Sequence, residues 1–249
     1  MNGPPRVLSI AGSDSSGGAG IQADIKTICM LGGYAMTAIT AVTAQNTLGV
    51  TAVEALSPEM VAAQIDACLS DIGVDAVKIG MLGSPAIAGV VADRLEAVDV
   101  PVVFDPVMIA TSGASLADAA TIAGFERLMA LATLTTPNVP ELEALGGDAA
   151  MAARGQAYLA KGGDAEGDVV EDRLVVPGRA PVVWQARRIV TRHTHGTGCT
   201  LASAIATHLA RGLALEEAVA EARDFVRAAL AAAPGFGKGH GPLGHQAVR

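Results

Sequence analysis

The feature that most constrains this chain is an alternation. Short, mainly apolar runs stand at Val7 to Ala11, Ala35 to Val42, Ala76 to Ile79, Val102 to Phe104 and Leu131 to Thr135, flanked by Gly, Pro and Asp. Between them lie helical patterns at Ile21 to Leu31, Pro58 to Asp71 and Pro85 to Ala97, and a long alanine-rich stretch runs from Thr200 to Ala232. A strand that is apolar at successive residues has two faces to bury, so it belongs in a sheet covered on both sides. Strands that alternate with helices form mainly parallel sheets. The expected fold class is therefore α/β, a mainly parallel central sheet with helices on both faces. Segments 164–176 and 182–191 read as exposed hairpins that carry an antiparallel edge. No repeat, low-complexity tract or long linker divides residues 1–249, and a chain that is 51% apolar and 17% charged can build one large core, so a single domain is expected.

Charge and cysteine usage exclude several classes. The net charge of −8 and a pI near 5.0 leave no basic surface to neutralise a nucleic-acid backbone. No charge falls between Lys26 and Glu54, but Thr37, Thr40, Thr43, Gln45 and Asn46 interrupt that stretch, so it reads as buried helix and strand and no membrane partner is expected. Cys29, Cys68 and Cys199 are widely spaced with no C-x-x-C pair, which indicates neither a disulfide framework nor a zinc site. The start carries no basic segment leading into an apolar one. A cytoplasmic location is expected.

Chemistry concentrates where strands end. Gly12 to Gly20 follows the first apolar run, and its glycines admit a ligand close to the backbone or simply make a flexible turn. It is neither a dinucleotide fingerprint nor a phosphate-binding loop of the lysine type. His195-Gly196-Thr197-Gly198-Cys199-Thr200 precedes the longest helical pattern; amides at a helix start form an anion hole for a phosphate in transfer. The helix dipole there is expected to lower the thiol pKa of Cys199 and equip it as a base, although a buried, inert cysteine is the other reading. Asp105 ends the fourth apolar run. Asn138 and Glu141 follow the fifth with the spacing of a capping box, which is compatible with a metal-side role. Lys161-Gly162-Gly163 can touch a nucleotide phosphate or be a turn with a solvated lysine. Gln45 offers the donor and acceptor of a carboxamide to an aminopyrimidine. Met81 is core or ring contact. His193 and His195 lack the spacing and the third ligand of a zinc site.

Together these strings resemble bacterial hydroxymethylpyrimidine/phosphomethylpyrimidine kinases of the ribokinase-like superfamily. The matching pieces are Ala11 to Asp24, Ala44 to Thr47, Lys78 to Leu82, Asp105 to Met108, Thr136 to Glu141, His195 to Thr200 and Gly239 to Pro242, in that order over nearly the whole chain. The resemblance implies a ribokinase-like three-layer sandwich and a cytoplasmic enzyme of thiamin biosynthesis, a homodimer by likeness alone. It implies ATP and Mg2+ as cofactors, and two successive phosphorylations of the small-molecule pyrimidine substrate, 4-amino-5-hydroxymethyl-2-methylpyrimidine. By likeness, Gly12, Asp24, Gln45, Met81 and Val107 hold the pyrimidine, and Asp105 and Glu141 serve the metal. Asn138, Lys161 and Thr197 serve the nucleotide, and Gly196, Thr197, Gly198 and Cys199 are catalytic. Between Leu145 and Lys161 the chain is several residues shorter than that pattern, so a shortened helix or strand is expected there. A pyridoxal or pyridoxine kinase is the alternative among enzymes, and a non-catalytic pyrimidine-binding sensor the alternative outside them. Gln45 and Met81 favour the pyrimidine, and Asp105, Glu141 and Cys199 have no use in a sensor.

Overall fold

The structure, a computed structural model, describes residues 3–109 and 116–248. Its strands are β1 (Arg6–Asp14), β2 (Tyr34–Asn46), β3 (Gly49–Ala55), β4 (Ala76–Ile79), β5 (Val102–Phe104), β6 (Leu134–Thr135), β7 (Tyr158–Ala160), β8 (Val169–Val175) and β9 (Val182–Arg187). Its helices are α1 (Gly20–Met30), α2 (Pro58–Ala67), α3 (Pro85–Leu95), α4 (Ala119–Leu131), α5 (Val139–Ala144), α6 (Gly147–Arg154), α7 (Thr197–Ala210) and α8 (Leu215–Ala231). The strands form one sheet in the order β3-β2-β1-β4-β5-β6-β7-β8-β9. Strands β2 through β7 of that order run parallel, and β3, β8 and β9 add antiparallel edges.

Successive residues of the central strands feed two cores. Leu8, Val77, Val102 and Phe104 pack with α2, α3 and α4, where Phe104 meets Phe125 edge to face at 5.1 Å. Val7, Ala76, Val103 and Leu134 pack with α1, α7 and α8. This is the two-faced burial that continuous apolar strands demand. Local signals start the helices of the first face: Ser57 and Ser84 cap α2 and α3 by accepting from Met60 and Ile87 amides, each with proline in the first turn.

Four details depart from the sequence reading. Segments 164–176 and 182–191 supply the two strands of one hairpin, β8 and β9, rather than a hairpin each. The stretch from Thr200 to Ala232 is two helices, because Gly212 at φ +86° closes α7 with its amide on Leu209 and the Leu213 amide on His208. Strand β3 and helix α4 were not anticipated, and the run at 131–135 leaves only Leu134–Thr135 as strand. The short connection between Leu145 and Lys161 is filled by α6, about two turns long, and the three-residue β7.

A bulge in β2 positions the site. Pairing runs Ala11 with Ile39 and then Ser13 with Val42, so β2 holds one extra residue opposite Gly12. Met36, Ala38 and Thr40 are buried before the bulge, and Ala41 and Thr43 after it. The phase switch turns Thr43 and Gln45 toward the carboxyl ends of the parallel strands.

Candidate active site

The carboxyl ends of β1, β4, β5, β6 and β7 open into a cavity of about 870 Å³, where ligands gather in sheets of this kind. Gly12, Gln45, Met81 and Val107 line one side of it. Gly12 accommodates Met81 because a Cβ on it would sit 2.3 Å from the Met81 ε-methyl. Ser15 Oγ donates to the Gln45 carbonyl and accepts the Gln45 amide, both at 2.8 Å, tying the glycine loop to β2.

Asp14 organises that loop. Its carboxylate accepts from the amides of Ser16, Gly18 and Ala19, from Ser16 Oγ, and from His195 Nε2 at 2.8 Å. Burial opposes its charge, but the His195 N–H and the Ala19 and Ser16 donors outweigh it and hold the carboxyl below its ordinary pKa. Gly196, at φ +92°, lies where a Cβ would stand 1.9 Å from the Gly18 carbonyl oxygen. The two glycine-rich motifs, about 180 residues apart, are thereby interlocked.

Past Gly196, α7 begins. No helix carbonyl reaches the first-turn amides of Gly198 and Cys199, so they offer the cavity an anion hole. A Cβ on Gly198 would lie 3.3 Å from Asp105 Oδ2 and 3.4 Å from Lys161 Nζ, so this turn abuts the charged side of the site. The expected depression of the Cys199 pKa is corrected. Burial, helped by Asp24 and Asp105, outweighs Lys78 and the Gly20 amide and pushes the thiol up to about 11. The helix dipole does not overcome that desolvation, and the resting group is a thiol.

Asp24 is the second correction. Expected against the ring, it is fully buried and does not line the cavity. Lys78 Nζ reaches its two oxygens at 3.0 and 2.8 Å, and Ser9 and Ser203 hydroxyls also donate to it. Ser203 lies one turn below Cys199 on α7, so the Asp24–Lys78 pair sits beneath the thiol. Burial works against the Lys78 charge, but Asp24 prevails and keeps the ammonium above its ordinary pKa.

The opposite side is charged. Asp105 Oδ1 accepts from Thr136 Oγ1 at 3.0 Å and Lys161 Nζ at 2.7 Å, and Glu141 Oε2 lies 3.7 Å from the same ammonium. Asn138 and Glu141 form a complete capping box on α5, so the cap is real, and the Met108 amide also donates to the Glu141 carboxylate. Burial and Asp105 raise the Glu141 carboxyl to about 7 against the pull of Lys161. Two adjacent carboxylates fit a hard cation such as Mg2+, which takes one or two protein carboxylates plus substrate phosphates. Among the described residues no group of three or more His, Cys, Asp or Glu side chains forms a self-sufficient metal cage.

Sequence reasoning missed the far end, where Val170, Ile189, Leu201, Val226 and Leu230 make an apolar wall. Asp172 anchors it by accepting the Gly162 amide at 2.9 Å and Arg223 Nε at 2.7 Å, while Arg223 lies 5.6 Å from the Trp184 ring centroid. Val170 and Asp172 lie on β8, Trp184 on β9, Leu201 on α7 and Arg223, Val226 and Leu230 on α8, with Ile189 just past β9, and no motif in the string brings them together. The Asp14–His195 pair lay inside motifs that were recognised, yet only the fold shows that they meet.

Comparison with known proteins agrees with this geometry. The family model for phosphomethylpyrimidine kinase matches residues 14–244. A Rhizobium meliloti hydroxymethylpyrimidine/phosphomethylpyrimidine kinase is 48% identical, with 96% of each chain covered. A bifunctional thiamine biosynthesis protein of Geobacter sulfurreducens is 47% identical over 96% of this chain, which spans 52% of that longer protein. Among solved structures, Bacillus subtilis pyridoxal kinase in an ADP complex superposes with a TM-score of 0.89 at 32% identity, covering 99% of both chains. Clostridium difficile phosphomethylpyrimidine kinase gives 0.76 at 39% identity, covering 90% of this chain and 98% of that one. With a ribokinase-like α/β sandwich, a cavity at its strand ends and a family match over residues 14–244, this chain belongs to the phosphomethylpyrimidine kinase family, a family of phosphotransferases.

Proposed function

We propose that the chain transfers the γ-phosphoryl group of ATP to the hydroxymethyl oxygen of 4-amino-5-hydroxymethyl-2-methylpyrimidine, and then a second one to the monophosphate. The observation that carries this reading is the first turn of α7, which stands between two different walls of one cavity. On one side are the apolar and amide groups of Met81, Val107 and Gln45, and on the other the charges of Asp105, Glu141 and Lys161. Phosphoryl transfer asks mainly for positioning and charge stabilisation, and this arrangement supplies both.

In this reading Gln45 meets the ring nitrogen and amino group, and Met81 and Val107 cover the ring faces. The apolar end built on Leu201, Val226 and Leu230 takes the nucleotide base. Lys161 and the α7 amides take the phosphates, with Asn138 and Thr197 beside them. Asp105 and Glu141 would hold Mg2+, which would supply positive charge to offset that of the phosphates. Lys161 then exchanges its hold on the carboxylates for phosphate. Cys199 lies where the attacking hydroxyl must approach and takes its proton; the resting thiol is protonated, so only the thiolate fraction does this. We also propose a homodimer, tested by light scattering.

Relatives named as pyrimidine kinases, the Clostridium difficile structure included, are 39 to 48% identical, whereas the superposed pyridoxal kinases are 31 to 32% identical. The shape of the pocket nevertheless makes pyridoxal the natural competitor. The test is ATP-dependent phosphorylation of hydroxymethylpyrimidine, its monophosphate, pyridoxal, pyridoxine and ribose, with product masses measured. A doubly phosphorylated pyrimidine is expected. Turnover of pyridoxal alone would overturn the assignment in favour of the pyridoxal kinase, and turnover of none would favour the sensor.

A further inference from the structure

Gln45 sits between two neighbours that decide which end of its carboxamide faces which way. As placed, its Oε1 lies 3.1 Å from Thr43 Oγ1 and its Nε2 lies 3.3 Å from His195 Nε2. The oxygen and nitrogen of a carboxamide are told apart by the hydrogen bonds around them, and here both neighbours call for the reverse of that placement. His195 Nε2 stands 2.8 Å from the Asp14 carboxylate, an acceptor only, so this nitrogen carries a proton and points it at Asp14. An NH2 group at 3.3 Å would set donor against donor, whereas an oxygen meets the positive end of the N–H dipole. Thr43 Oγ1 has one proton, and the Ser13 carbonyl oxygen lies 3.0 Å away to receive it. A second oxygen at 3.1 Å would go without a proton; an NH2 group donates to the lone pair that remains.

We propose that Thr43 and the Asp14-held His195 are specificity-determining residues: they fix the Gln45 carboxamide with its oxygen toward His195 and its NH2 toward Thr43. The amide then presents one set order of donor and acceptor to the ring. Ser15 reinforces the effect by fastening the Gln45 backbone at both its amide and its carbonyl, so the side chain cannot reach the other pattern by shifting the strand. A 4-aminopyrimidine offers an acceptor, N3, beside a donor, the amino group. Its 4-oxo analogue, in the lactam form, offers the reverse, N3–H beside a carbonyl. The two differ little in size, so a pocket with a freely rotating amide accepts both, and one with a fixed amide rejects whichever pattern it opposes. The functional half of this inference rests on the kinase reading above, whereas the orientation itself does not.

Two measurements test it. In protein carrying 15N-labelled glutamine, nuclear Overhauser contacts from the Gln45 amide protons are expected to the Thr43 methyl group and not to the carbon-bound protons of the His195 ring; contacts to that ring instead would overturn the orientation. In steady-state assays with ATP and Mg2+, the wild type is expected to prefer the 4-amino over the 4-oxo substrate by at least about a hundredfold in kcat/KM. Thr43→Val should reduce that ratio at least tenfold, mainly through a faster 4-oxo reaction, while Thr43→Ser keeps it. An unchanged ratio in Thr43→Val, or equal losses on both substrates, would overturn the specificity role. Should the wild type phosphorylate neither pyrimidine, the kinase reading fails while the nuclear Overhauser contacts still decide the orientation.

Discussion

At Cys199, burial, Asp24 and Asp105 outweigh the Lys78 ammonium and the Gly20 amide. With the thiol raised to about 11, kcat/KM, which reports the free enzyme, should climb with pH above neutrality if the thiolate takes the substrate proton. Cys199→Ala should flatten that climb and lose about 10² to 10⁴ in rate, the usual worth of a general base, with both ligands still bound. A near-wild-type rate and profile in the variant would leave catalysis to the α7 amides, as a loose transition state permits. Directly below, the Asp24–Lys78 pair is cut off from water. Removing one partner strands a buried charge, so Lys78→Met should lower unfolding stability by about 3 to 5 kcal/mol. Pairing it with Asp24→Asn should recover much of the loss. Denaturant titration of the three variants checks this, and additive losses would show that the two residues do not act as a pair. Neither the pair nor the direction of the Cys199 shift was legible in the sequence. Asp24 and Lys78 are 54 positions apart, and a helix-dipole argument at Cys199 carries no knowledge of how deeply the fold buries it.

At the scale of elements, much was legible because periodicity reports burial. The runs around Val7, Val77 and Val103 became central strands, and the capping box at Asn138 and Glu141 formed as its spacing implies. What escaped was decided by tertiary pairing. Strand β3 is an exposed edge with no apolar run to announce it, and the β2 bulge that aims Gln45 depends on its register against β1. The C-terminal turn His245–Ala247 shows such a dependence in its energetics. His245 is buried, bonded to Thr200 Oγ1 at 2.8 Å and packed near Phe225. Burial lowers its pKa from 6.5 to about 4, assisted by Lys26. The folded state therefore resists a proton that the unfolded chain accepts. Stability is unaffected above pH 6.5 and falls as pH drops from there toward 4, by about 1.4 kcal/mol per unit where the slope is full. Chemical denaturation at pH 7 and pH 5 should show this loss in the wild type and a smaller one in His245→Gln, which cannot take up the proton. Equal slopes in both proteins would place the acid sensitivity elsewhere.

On the scale of the whole molecule, the site exists only where distant segments meet. The glycine loop after β1, the end of β2 and the approach to α7 are joined through Asp14, His195 and the Gly18–Gly196 contact. The C-terminal stretch joins them, its Gly241 carbonyl accepting the His195 amide and its His240 amide donating to the Thr47 carbonyl. A ligand that touches several of these segments is thus bound by the folded chain and not by the unfolded one. At about a hundred times its Kd it should add about 2.7 kcal/mol, which for a chain of this size raises Tm by roughly 5 to 10 °C. We predict that shift in thermal denaturation with hydroxymethylpyrimidine and a non-hydrolysable ATP analogue present. Gly196→Ala is the variant that tests the interlock. Its Cβ would press on the Gly18 carbonyl from a backbone at positive φ, so the two loops must part or the helix start must shift. The variant should lose most of the ligand-induced rise while keeping the far-ultraviolet signature of the sheet and helices, because neither glycine belongs to the two hydrophobic cores. A full ligand-induced rise in Gly196→Ala would mean that the two motifs bind independently, and that their contact is packing with no part in ligand binding.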